Sequence, residues 1–227
     1  MNDYTQSLQT LFSQHTNAAD AAPMAKYMRD LFPYLGLKKP IRAALLKQFI
    51  AANGLPPLAD LETILHDLWQ LPEREYQYNA LDLLDKLQKK LPPDFTGVLE
   101  YLIVTKSWWD TVDLIAGHAV ATHFARFPQV RDETVARWRS SDNFWLRRTT
   151  LLFQLHYKAN TDTDLLFALI RENLDSDEFF IQKAIGWALR EYSKTDATAV
   201  TKFVAVTPLA PLSAREALKW LKAQKKA

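Results

Sequence analysis

The strongest constraint on what this chain can fold into is a step of 35 residues. The segment "SDNFWLRRTTLLFQL", beginning at Ser141, aligns without a gap on "SDEFFIQKAIGWALR", beginning at Ser176. Both open on Ser-Asp, a favourable start for a helix, and both continue with two aromatic side chains. The preceding step lands on "KSWWDTVD" at Lys106, the next on "LPEREYQYNALDLL" and the one before that on "KKPIRAALLKQF", while "LSAREALKWLK" near the end is a looser copy. A two-helix unit of this size cannot cover its apolar face alone and does so by stacking on the next copy, so the period predicts an α-solenoid. We expect an all-α fold of about six two-helix repeats, a single domain over residues 1–227. Its concave groove would be built from equivalent positions on successive inner helices.

The local pattern agrees with the period. Ile181, Ile185, Ala188 and Tyr192 recur at i, i+4, i+7 and i+11, as do Trp108, Val112, Ile115 and Ala119, each the buried stripe of a helix. Prolines and short polar clusters fall between such stretches, as in "LPPLAD", "LPPDF", "RFPQVRD" and "ANTDTD". With 48% apolar residues the chain can bury a full core. It has no cysteine, which excludes disulfides and thiol or thiolate-metal chemistry. Its start lacks a signal-peptide pattern and no apolar run reaches membrane-spanning length, so we expect a soluble cytoplasmic protein that makes no membrane contact. The net charge of +2 identifies no partner; what matters is where the cations fall.

The period places charge on one face. Stepping by 35 from Asp113 reaches Arg148 and then Lys183, so three consecutive repeats put an acid and two bases in one slot. On one helix Lys183, Trp187, Arg190 and Lys194 form a basic and aromatic stripe at i, i+4, i+7 and i+11, apart from the Ile181/Ile185 stripe. On another, Trp109 and Asp113 are i and i+4 and share a face. An indole beside a carboxylate suits neither pure core nor pure surface. Taken singly, Trp109 and Trp187 are better explained as packing, as are Trp69, Trp108, Trp138, Trp145 and Trp220, and Asp113 as the partner of a neighbouring cation, with Arg148 the obvious one. Lys38 and Lys39 stand before Pro40 at a helix start, where cations oppose the helix dipole and an anion such as phosphate, or solvent, would relieve them. The five histidines are scattered, and no metal-binding, P-loop or dinucleotide motif occurs; we expect neither metal nor cofactor.

In order along nearly the whole chain, "MAKYMRDLFPYLGLKKPIR", "LPEREYQYNALDLL", "VTKSWWDTVD", "SDNFWLRRTTLLFQL", "FFIQKAIGWALREY" and "LAPLSAREALK" resemble the AlkD family of bacterial DNA alkylation-repair glycosylases, whose repeats are HEAT-like. The resemblance implies a monomeric enzyme that binds double-stranded DNA and removes alkylated purines. It places the catalytic carboxylate on Asp113, the lesion-facing indoles on Trp109 and Trp187, a further aromatic of the cleft on Tyr27 and the key arginine on Arg148. With the basic stripe it suggests DNA-backbone contacts for Arg148, Lys183, Arg190, Lys194, Lys38 and Lys39. The segment "KKPIRAALLK" departs from the family's more polar pattern, so no minor-groove contacts are carried over there. A family member that binds unusual DNA without chemistry, and a HEAT-type protein-binding scaffold, are the alternatives. The first would not need intact Asp113, Trp109, Trp187 and Arg148; the second would show an apolar or acidic groove and no salt-sensitive affinity for DNA.

Overall fold

A computed structural model describes residues 1–224. All regular structure among the described residues is helical, and the chain divides into two compact units, Met1–Pro92 and Pro93 onward. The first holds α1 (Asp3–Ser13), α2 (Ala18–Tyr27), α3 (Lys39–Asn53), α4 (Leu58–Gln70) and α5 (Arg74–Leu87). The second holds α6 (Thr96–Val104), α7 (Trp109–Leu114), a π-helical segment (Ile115–Val120) running on into α8 (Ala121–Arg126), and then α9 (Pro128–Trp138), α10 (Phe144–Leu152), α11 (Thr163–Arg171), α12 (Phe179–Tyr192), α13 (Ala197–Val206), α14 (Pro211–Ala217) and α15 (Lys219–Gln224). The period is visible in the starts: α3, α5, α7, α10 and α12 begin at Lys39, Arg74, Trp109, Phe144 and Phe179, each 35 residues after the last.

Local chemistry fixes those starts. The Ser-Asp pairs do not themselves cap α10 and α12. Asn143 and Glu178 are the cap residues, and the hydroxyls of Ser141 and Ser176 accept from the backbone N–H of each, at 3.2 and 3.3 Å. The serine thus sets a turn two residues ahead of the helix, the same turn in both copies. In the first unit the entry to α3 is pinned by Glu75, whose buried carboxylate accepts from the N–H groups of Leu35, Gly36 and Leu37 at 2.9–3.0 Å. Gly36 sits at φ +85° with its α-carbon against the carbonyl of Asn17, where a Cβ would come within 1.9 Å, so this turn requires glycine. At the other end of α3, Asn53-Gly54 closes the helix with Gly54 at φ +77°.

Burial completes the two units. Leu8, Phe12, Leu61, Leu65 and Trp69 are fully buried in the first, and Phe124, Trp138, Phe153, Ile181 and Leu189 in the second. Each large apolar side chain removed from water stabilises by roughly 1.5–3 kcal/mol. In the second unit α7, α10, α12 and α14 pack side by side in that order. A second row, α6, α9, α11 and α13, backs them, each helix packed against one or more of the first row. This is the stacking of helix pairs that defines an α-solenoid. No helix among the described residues is long and apolar enough to cross a membrane.

Candidate active-site cleft

The adjacent first-row helices of the second unit enclose a cleft of about 390 Å³ lined by Trp109, Asp113, Arg148, Phe179, Phe180, Lys183, Trp187, Arg190 and Glu216. The sequence period thus brings six of its candidate residues together. Trp109 and Asp113 come from α7, one helical turn apart, Arg148 from α10, and Lys183, Trp187 and Arg190 from one face of α12. Immediately after Asp113 the helix widens: the Ala121 N–H donates to the Ala116 carbonyl, an i→i+5 bond of a π turn, a departure common at functional sites.

One lining residue, Phe180, belongs to an aromatic cluster. Trp108 meets Trp145 and Phe180 at ring-centroid distances of 6.0 and 5.0 Å, and Trp145 meets Phe180 at 5.0 Å. These indoles pack, as expected of Trp108 and Trp145. They hold Phe180 so that its ring lies 5.7 Å from the Arg148 guanidinium carbon.

Arg148 does not stand on the surface as a phosphate ligand would. Only 3% of the residue is exposed. Its Nε donates to Asp113 Oδ1 at 2.8 Å, its Nη2 to Oδ2 at 2.9 Å, and its Nη1 to the carbonyl of Phe180. This is the pairing with Asp113 that the sequence offered as the structural alternative, and the planar guanidinium fork matches a carboxylate one repeat away. The Asp113 side chain is 13% exposed, toward the cleft. Burial pushes its carboxyl above the ordinary value of 3.8; the hydrogen bonds and charge of Arg148 oppose this, and Asp110 adds to the rise. We take the pair as ionised at neutral pH, since a neutral Asp113 would leave the buried guanidinium without compensation.

Across the cleft, Glu216 of α14 receives both cations of α12. Lys183 Nζ lies 3.3 Å from Oε1 and Arg190 Nη1 2.8 Å from Oε2. Burial alone would raise the Glu216 carboxyl, but Lys183, Arg190 and Lys219 outweigh it and hold it below the ordinary carboxylate range. Gly186 makes the arrangement possible. A Cβ there would lie 2.6 Å from Glu216 Cβ and 2.9 Å from the Ser213 carbonyl, so only glycine lets α14 approach so closely. Ser213 locks the contact by donating its hydroxyl to the Gln182 carbonyl at 2.9 Å.

The other candidates lie elsewhere. Lys194 does not join the stripe, because α12 ends at Tyr192; it is exposed, pairs with Glu191 at 2.6 Å and lines a separate cavity of about 300 Å³ with His156, Lys158 and Tyr192. Tyr27, Lys38 and Lys39 belong to the first unit. Tyr27 ends α2 and is 72% exposed. Lys38 pairs with Asp20 at 2.6 Å, and Lys39 opens α3, exposed. Sequence reasoning missed Phe179, Phe180 and Glu216 as cleft residues. The two phenylalanines carried a signal, the aromatic pair shared with Phe144 and Trp145 one period earlier. Glu216 lies in the loosest copy of the repeat and carried none.

Fold and cleft together define a helical-repeat protein that presents a largely buried, arginine-clamped carboxylate in a cleft also lined by two indoles and by cations. The chain belongs to the DNA alkylation repair enzyme family, whose sequence profile matches residues 8–221. It is also similar to a solved structure described as a predicted DNA alkylation repair enzyme from Enterococcus faecalis, with 35% sequence identity, a TM-score of 0.84, and coverage of 91% of this chain and 96% of that one. Comparison with curated proteins gives no match. The protein is thus a DNA alkylation repair protein, and DNA is its partner.

Proposed function

We propose that the protein is a monofunctional glycosylase that hydrolyses the glycosidic bond of N3- and N7-alkylated purines in duplex DNA, with Asp113 as its catalytic carboxylate. The observation that carries this reading is a fixed carboxylate in an open cleft that Trp109 and Trp187 also line. An N3- or N7-alkylpurine is already a cation. Its bond to C1′ breaks with both electrons going to the base, which leaves neutral, so no general acid is required. The sugar becomes oxocarbenium-like and needs a nearby negative charge. The bidentate clamp of Arg148 uses one lone pair on each Asp113 oxygen, and those remaining can face the sugar and orient water. Water adds to C1′ and loses its proton to solvent, giving an abasic site and a free base.

Arg148 then acts by holding Asp113, not by binding phosphate. The two indoles attract a cationic nucleotide by cation–π contact, about 0.5–2 kcal/mol each. Lys183 and Arg190 are the backbone-binding cations of the cleft, and Lys38, Lys39 and Lys194 are further backbone contacts outside it. Tyr27, exposed on the first unit, is a further aromatic contact to the DNA. The lining residues come from α7, α10, α12, α14 and the ends of those helices. All nine lining residues lie on helices, and this favours action without base flipping over the enclosing pocket usual for glycosylases.

The test is incubation with a duplex carrying one N7-methylguanine, followed by detection of an abasic site. A duplex with uracil at the same position serves as the neutral control. Release of methylguanine without uracil is expected. Absence of methylguanine release, with duplex binding intact, refutes the chemistry and leaves a DNA-structure-binding protein.

A further inference from the structure

The cleft contains a second carboxylate that the chemistry proposed above does not use. Glu216 lines the same cleft as Asp113 and pairs with both cations that would otherwise meet DNA phosphates. The five formal charges lining the cleft, Asp113, Arg148, Lys183, Arg190 and Glu216, sum to one positive charge. Because Asp113 and Arg148 neutralise each other, that surplus depends on Glu216 alone. Without it, Lys183 and Arg190 would present two.

The pairing is built rather than incidental. Glu216 is supplied by a neighbouring helix whose approach depends on Gly186, and whose position is fixed by the Ser213–Gln182 hydrogen bond. Its side chain is 15% exposed, whereas Lys183 and Arg190 are 37% and 27% exposed, so the cations are the more accessible side of the pairing. A phosphate approaching the cleft must therefore compete with Glu216 for the same two donors.

We propose that Glu216 is a specificity-determining residue, an internal competitor for the DNA backbone that lowers affinity for undamaged duplex; the proposal rests on the reading of this cleft as the lesion site. Undamaged DNA offers the cleft only phosphates and meets the full competition. A cationic nucleotide is held in addition by Trp109, Trp187 and Asp113, contacts that Glu216 does not weaken. Glu216 thus widens the gap between damaged and undamaged DNA, because its negative charge competes with the phosphates of both duplexes but attracts the cationic nucleotide of only one.

The experiment measures the binding of wild type, Glu216→Gln and the Lys183→Gln/Glu216→Gln double variant to an undamaged duplex and to one with N7-methylguanine, each over a range of salt concentrations. Glu216→Gln keeps the shape and removes one negative charge. Its log–log salt slope on undamaged duplex should steepen by about one unit, with affinity rising about fivefold near 0.15 M salt. The ratio of damaged to undamaged affinity should fall. The double variant restores the surplus of one positive charge and should return the slope to the wild-type value. A Glu216→Gln slope that is unchanged or shallower overturns the proposal and makes Glu216 a support for the two cations. Thermal denaturation of each variant reports folding; a steeper slope that the double variant does not reverse also overturns it. If wild type binds no duplex at all, the reading of the cleft fails first and this proposal with it. If wild type binds and excises while Glu216→Gln matches it at every salt concentration, only this proposal fails.

Discussion

Replacing Arg148 by alanine tests what the clamp is for. The guanidinium is buried and makes two hydrogen bonds to Asp113 and one to the Phe180 carbonyl. Its loss leaves the Asp113 carboxylate nearly buried with no cation beside it. Removing one partner of such a pair costs about 3–5 kcal/mol. For a chain of this size that corresponds to a fall of about 6–20 °C in Tm. The charge state should move as well. Arg148 is the group that opposes the effect of burial on Asp113, so without it the folded-state pKa, already above the ordinary value, rises further. Sign follows from this. A carboxyl whose folded pKa is raised binds protons more tightly when folded, so its favourable contribution is complete below the ordinary value of 3.8 and is lost as pH rises through the folded pKa. The variant should therefore lose more stability at pH 7 than at pH 4, and the acid limb of its excision profile should shift to higher pH. Urea denaturation at both pH values and single-turnover excision across pH measure the two effects. A variant as stable as wild type, with unmoved limb and a salt slope shallower by about one unit, would show Arg148 to be a phosphate contact and refute the clamp.

Three further outcomes can be checked directly. Asp113→Asn should abolish excision of N7-methylguanine while duplex binding falls little, though it strands the Arg148 charge and should lower Tm; excision at the wild-type rate would remove Asp113 from the chemistry. Gly186→Ala drives a methyl group to within 2.6 Å of Glu216 Cβ and 2.9 Å of a backbone carbonyl, and the overpacking should cost about 1–3 kcal/mol in urea denaturation. Large cationic N3- or N7-adducts should be excised at rates comparable to methyl adducts, since the residues lining the cleft all lie on helices; a steep fall in single-turnover rate with adduct size, at equal binding, would mean that the base enters a tight pocket.

The fold was legible because the repeat writes the same local instructions several times. The 35-residue step located the starts of α3, α5, α7, α10 and α12 in common phase, and phase alone brought Trp109, Asp113, Arg148, Lys183, Trp187 and Arg190 into one cleft. Phase could not say which way a long side chain turns. Arg148 and Lys183 occupy equivalent positions, yet one is buried against Asp113 and the other reaches Glu216, because the neighbouring helix offers each a different acid. Lys194 lies outside the cleft lining for a different reason: i+11 from Lys183 presumes a helix that has already ended at Tyr192. Glu216 was missed because its contribution depends on Gly186, a residue with no side chain to advertise the contact.

The π turn that follows Asp113 has a consequence for how this protein tolerates changes in length. In an α-helix, removing one residue rotates everything beyond it by about 100° and turns its buried face outward. A π turn already holds one residue more than an α turn needs, so a deletion within Ile115–Val120 can be absorbed by tightening the turn. Trp109 and Asp113 upstream, and Phe124 with His123 downstream, would then keep their faces. The stretch beside the candidate catalytic carboxylate is thus a place where this chain can lose a residue and keep its register.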